Sequence, residues 1–119
     1  MERIRFITYA GKRILEVDAS RCSAGEAERL MRELPDHVTA EPRESVRMLV
    51  DFTGASFDTE GLRTMKETAI FNKPHIKKTA WIGAQSLPEA HLEEMSTYAR
   101  REFPVFKERA TALEWLARE

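Results

Sequence analysis

VDFTGASFDTEG, residues Val50 to Gly61, decides how the rest of the chain is read. It opens at the end of an apolar run, Met48-Leu49-Val50, and turns polar at Asp51. It then reaches Asp58, a residue suited to cap a helix. A continuous apolar run bounded by turn residues suits a strand covered on both faces, as in a parallel sheet. In such sheets the loop at the carboxyl end of a strand is where ligands and partners are met. The stretch therefore predicts a strand over Val46 to Phe52, a polar loop, and a helix with Leu62, Met65 and Ala69 inward.

The same reasoning extends in both directions. Ile4, Phe6 and Thr8 alternate with Arg5, Ile7 and Tyr9, and a second alternation over Ile14 to Ala19 puts Leu15, Val17 and Ala19 on one face. Ala10-Gly11-Lys12 between them predicts an antiparallel hairpin. Ser23-Ala24-Gly25-Glu26 is a capping box, and Ala27, Leu30, Met31 and Leu34 follow at helical spacing. Pro35 is the expected stop, with Asp36 to Ser45 a connection. Downstream, Asn72-Lys73-Pro74 is expected to end the second helix through a left-handed Asn72. Thr79 to Ala84 reads as a strand. Ser86-Leu87-Pro88-Glu89 reads as a second capping box, leading a helix with Leu92, Met95 and Ala99 buried. Pro104-Val105-Phe106 suits a short edge strand, and Ala110, Leu113 and Leu116 mark a last helix. The fold class is α/β: a single mixed, mostly parallel sheet with an N-terminal antiparallel hairpin and about four helices. One domain over residues 1–119 accounts for the whole chain.

Composition narrows the function classes. Hydrophobic residues make up 42% and charged residues 33%, the profile of a soluble globular domain. A formal net charge of −1 supplies no overall field for nucleic acid or an anionic membrane. The single cysteine, Cys22, excludes an internal disulfide and paired-cysteine zinc sites, and suits the cytoplasm. Met1-Glu2-Arg3-Ile4-Arg5 does not begin a signal peptide. No apolar run approaches the ~20 residues of a transmembrane segment.

Individual side chains give little chemistry. The glycine-rich phosphate loops are absent. A helix start can bind an anion, but Asp58 and Glu60 occupy this one and answer its dipole themselves. Cys22 precedes a helix start, where a thiolate is favoured, yet it also suits a small packing residue. His37, His75 and His91 lack metal-ligand spacing, and His91 with Glu94 reads as a solvated pair. Asp51 reads as an Asx turn rather than a catalytic acid. Lys73, His75, Lys77 and Lys78 form the one dense basic cluster, suited to an acidic partner, a lipid head group, or plain solvation. No interleaved aromatics point to nucleic acid. No catalytic residue, metal or cofactor is assigned.

Leu49 to Leu62 resembles the central motif of the STAS domains, the anti-sigma-factor antagonists of SpoIIAA-like fold. In that family a strand and a short polar segment lead to a phenylalanine, an aspartate, two serines, a glycine and a leucine. Phe57, Asp58, Gly61 and Leu62 match those positions. Thr59 falls on the first serine, and Glu60 on the second, the phosphorylation switch. The spacing between Phe57 and Asp58 is one residue shorter than in the antagonists. Phe71 to Lys78, Ala80-Trp81-Ile82-Gly83 and Ala110 to Leu116 are similar to the small bacterial STAS/SEC14, or SpoIIAA-like, proteins.

The resemblance implies a non-enzymatic regulatory module that meets a protein partner through Thr53, Ser56, Asp58, Thr59, Glu60 and Gly61. Glu60 would hold a permanent negative charge where relatives carry a phosphate, or would merely stabilise the helix start by ~0.3–1 kcal/mol. Thr59 and Ser56 are the remaining phosphate acceptors. The alternative implied by the SEC14 likeness is a binding module for a small apolar or lipid-like ligand, among Met31, Met48, Met65 and Met95. That reading requires an enclosed apolar pocket. A face around Trp115 would support a homodimer if exposed, and a packed core if not.

Overall fold

A computed structural model describes residues 2–118. Strands β1 (Ile4–Tyr9) and β2 (Lys12–Asp18) pair antiparallel, with Tyr9 opposite Lys12. Ala10 and Gly11 make the turn, both at positive φ (50° and 77°), the backbone twist that suits a two-residue hairpin. Helix α1 (Ala24–Val38) leads to β3 (Val46–Asp51), and α2 (Thr59–Asn72) to β4 (Ile76–Ile82). Helix α3 (Glu89–Ala99) precedes the short β5 (Val105–Phe106), and α4 (Arg109–Ala117) closes the domain. The strands lie in the order β1-β2-β3-β4-β5, parallel from β2 onward.

Alternation in the strands divides the interior into two layers. Leu15, Val17, Met48, Val50 and Trp81 face α1, α2 and α3. Ile14, Leu49, Ala80 and Ile82 face Ala112, Leu113 and Leu116 of α4. This double cover explains the unbroken apolar run in β3. Because the strand order never reverses, the sheet has no switch point of the kind that opens a ligand crevice in other α/β sheets. Arg47 and Lys78 reach from β3 and β4 to the end of α4. Arg47 Nη1 donates to Leu116 O and, at 2.8 Å, to Arg118 O; Lys78 Nζ donates to Trp115 O at 2.8 Å. Cations at a helix C-terminus also answer its dipole.

Several local expectations are corrected. Pro35 does not stop α1, which runs to Val38. A helix-interior proline costs about 3 kcal/mol, but here Val38 is fully buried, offsetting about 1.5–3 kcal/mol. The Thr39 amide and hydroxyl both donate to Pro35 O, at 2.8 and 2.7 Å. Asn72 is helical (φ −75°, ψ −28°) rather than left-handed, and a 3-10 turn over Lys73–His75 makes the exit. Pro74 fits there because early amides of a helical turn have no internal acceptor. β4 starts at Ile76, ahead of Thr79, and ends at Ile82. The N-cap of α3 is Pro88 rather than Ser86, with no side-chain cap. On α4 the buried alanine is Ala112, and Ala110 is exposed.

Candidate functional site

The loop after β3 is tied on both sides. Asp51 Oδ1 accepts from the Thr53 amide at 2.9 Å and from its hydroxyl at 2.6 Å, the Asx turn expected from sequence. Arg21 N donates to Thr53 O at 2.8 Å, and Ser56 N donates to Cys22 O at 2.9 Å. Phe52 anchors the base: its ring meets Phe57 edge-on at 5.7 Å and Trp81 at 5.0 Å. Gly83, at φ 67°, lies against the Thr53 backbone so closely that a Cβ there would come within 2.5 Å of Thr53 N. The loop is therefore clamped between residues 19–22 and the end of β4.

Asp58 is the N-cap of α2, and its Oδ1 accepts from Gly61 N at 2.8 Å. Gly61 is buried, and a side chain there would press on Phe57 at 3.3 Å. Glu60 is different. Its side chain is 70% exposed, with Arg63 Nη1 at 3.5 Å. Thr53, Ser56, Asp58, Thr59 and Glu60 are all exposed, while Gly61 lies inside. The structure thus gathers the sequence-selected residues on one turn and separates their jobs: Asp58 caps, and Glu60 points outward.

His75 does not converge with this loop, and Cys22, which adjoins it through its backbone, has its side chain buried. His75 sits at the start of β4, where Ile76 pairs with Val46, and Asp51 at the far end of β3. Five strand steps separate the two ends, about 17 Å at ~3.3 Å per residue. His75 Nδ1 lies 2.8 Å from Glu41 O. Cys22 is buried, and burial raises its thiol pKa, overriding the helix-start effect expected for it. His91 is not a solvated partner of Glu94. It is buried, with Nε2 3.3 Å from Met65 Sδ, and burial lowers its pKa. Among the described residues, no group of His, Cys, Asp and Glu could hold a metal ion.

Met31, Met48, Met65 and Met95 do meet around one small cavity, beside Phe52 and Trp81. Its volume is about 30 Å³. That admits a water or two, not a lipid chain. Asn72 and Arg101 also line it, and among the described residues Asn72 Oδ1 and Arg101 Nε are buried without hydrogen-bond partners. Trp115 is half-buried and packs on Phe106 at 5.7 Å.

Sequence reasoning missed a groove of about 670 Å³ at the opposite end of the sheet. Lys73, Lys77 and Lys78 of the basic cluster line it, joined by Arg43 and Arg101 from distant parts of the chain. Only the lysine cluster was visible in the one-dimensional pattern.

The family model described as SpoIIAA-like matches residues 14–117. The fold is similar to that of an uncharacterised DUF3478-family protein from Shewanella loihica PV-4, whose crystal structure has a SpoIIAA-like fold. That comparison gives a TM-score of 0.72 at 17% identity, covering 96% of this chain and 92% of the other. No curated protein matches the sequence. No helix of the described residues is long and apolar enough to cross a membrane.

Proposed function

The chain belongs to the SpoIIAA-like family, and on that premise we propose that it is a non-enzymatic regulatory module binding a protein partner through Thr53–Gly61 and the first turn of α2. One observation carries the reading. Asp58 turns one carboxylate oxygen onto the helix cap, while Glu60, 70% exposed beside Arg63, points its charge outward from the same helix start. A partner approaching this turn meets a fixed negative charge on a pre-ordered loop. In the related antagonists the corresponding position is a serine that gains charge when phosphorylated. Here the charge is permanent, and regulation by phosphate at that position is replaced by constitutive recognition.

Electrostatic complementarity decides partner choice, because like charges brought together cost several kcal/mol. The test places a photo-crosslinking residue at Thr59 and, as a control, at Glu114 on the outer face of α4. A protein captured from position 59 alone is then purified and its affinity measured. Glu60→Gln should weaken binding, and Glu60→Lys should weaken it further. Equal affinity for all three proteins would refute the role given to Glu60.

A further inference from the structure

We propose that the groove between the start of β4, the 3-10 turn and the segment after α3 binds a phosphoryl group. Five cationic side chains converge there: Arg43, Lys73, Lys77, Lys78 and Arg101. Two carboxylates, Glu44 and Glu102, share the lining, which leaves a local excess of three positive charges in a chain of net charge −1. Arg43, Lys73 and Lys77 are exposed and make no ion pair among the described residues.

Arg101 gives the groove its character. Its guanidinium lies over the Phe103 ring, 4.4 Å from the centroid, and Nη1 donates to the buried Thr79 hydroxyl at 2.7 Å. Among the described residues it makes no ion pair, and burial lowers its pKa, to about 10, so it stays charged at neutral pH. Its Nε is buried with no acceptor among the described residues. A largely buried cation with no ion pair among them is costly, and an anion arriving from the groove relieves that cost. Thr79 and Phe103 fix the guanidinium plane before any ligand arrives, which suits the planar fork by which arginine grips phosphate oxygens.

The number of donors selects the ligand class. A phosphate monoester carries about −1.5 to −2 charges and three acceptor oxygens, enough to engage Arg101 and two lysines together. A single carboxylate brings one charge, which answers less of the positive excess. The groove volume lies within the range of small-molecule sites, ~300–1,000 Å³. The phosphoryl group has two sources, a soluble phosphorylated molecule or the head group of an anionic phospholipid.

The experiment titrates sodium pyrophosphate into the isotope-labelled chain and follows amide and arginine Nε–H resonances. Saturable shifts centred on Lys73, Lys77, Thr79 and Arg101 are expected. Lys73→Gln with Lys77→Gln should weaken binding about tenfold, two exposed contacts near 0.7 kcal/mol each. Both positions are exposed, so this variant tests the site even if Arg101→Gln fails to fold. Arg5→Gln, on the far edge strand, should change nothing. Saturable pyrophosphate binding weakened in the double variant identifies a soluble ligand. No pyrophosphate binding, but co-sedimentation with phosphatidic acid vesicles that the double variant weakens, identifies a head group. Binding of neither probe, or binding indifferent to the lysine and arginine substitutions, overturns the proposal.

Discussion

Gly83→Ala is the sharpest test of how the candidate loop is held. Two costs add. At φ 67° an alanine is in the left-handed region, worth about 1–2 kcal/mol. Its Cβ would also lie 2.5 Å from Thr53 N and 2.7 Å from Thr53 Cα, with the Thr53 hydroxyl close by. Relieving an overpacked contact of this kind costs about 1–3 kcal/mol. The sum, about 2–5 kcal/mol, is a large part of the ~5–15 kcal/mol that keeps a domain folded. The assay is urea unfolding followed by tryptophan fluorescence, with Trp81 as the buried reporter. The midpoint should fall by about 1–3 M at an ordinary slope for this size. The nearest clashing atom is the Thr53 hydroxyl, but the other two are backbone, so trimming the neighbour should help only in part. Thr53→Ala in the Gly83→Ala background should recover less than half of the loss in a double-mutant cycle. A loss below about 1 kcal/mol, or full recovery on trimming Thr53, would refute a backbone clamp and mean that the loop yields.

Three further outcomes follow from the same contacts. Asp58→Ala should cost about 1 kcal/mol through loss of the cap, whereas Asp58→Asn should cost little, because asparagine caps equally well; thermal melts of the two variants check this. Cys22 should react with a maleimide only slowly in the native state and rapidly in denaturant, since it is buried with its thiol pKa raised; mass-resolved labelling gives both rates. His91 has its folded pKa lowered from 6.5, so the unfolded chain binds the extra proton, and its contribution to stability is intact above 6.5 and lost as pH falls through and below that value. Lys66 and Met65 from α2 and Glu94 from its own helix surround it. Chemical unfolding at successive pH values should show this slope in the natural chain and lose it in His91→Gln.

The fold was readable wherever burial followed a simple period. The hairpin, the double-faced β3, and the caps at Ser23 and Asp58 came directly from local pattern, because each satisfies its geometry with neighbours in sequence. Errors arose where tertiary contact overrode a local rule. Buried Val38 carries α1 past Pro35. His91 joins the buried stripe of α3 with Met95 and Ala99, against Met65. The candidate loop was legible as a loop, and its exposed residues were found. The division of labour between Asp58 and Glu60 was not, since side-chain direction depends on where the helix begins. The groove was half-legible: Lys73, Lys77 and Lys78 cluster in sequence, but Arg43 and Arg101 reach it only after folding.

The sheet order also fixes the sequence in which the domain can complete itself during synthesis. Each strand from β2 to β5 docks beside one already made, and α1 to α3 cover the same layer as they emerge. The other layer, Ile14, Leu49, Ala80 and Ile82, has to wait for α4. Until α4 docks, the chain thus displays a water-facing aliphatic stripe across its central strands. The same stripe makes α4 a lock: while it stays docked, the stripe is unavailable to other chains.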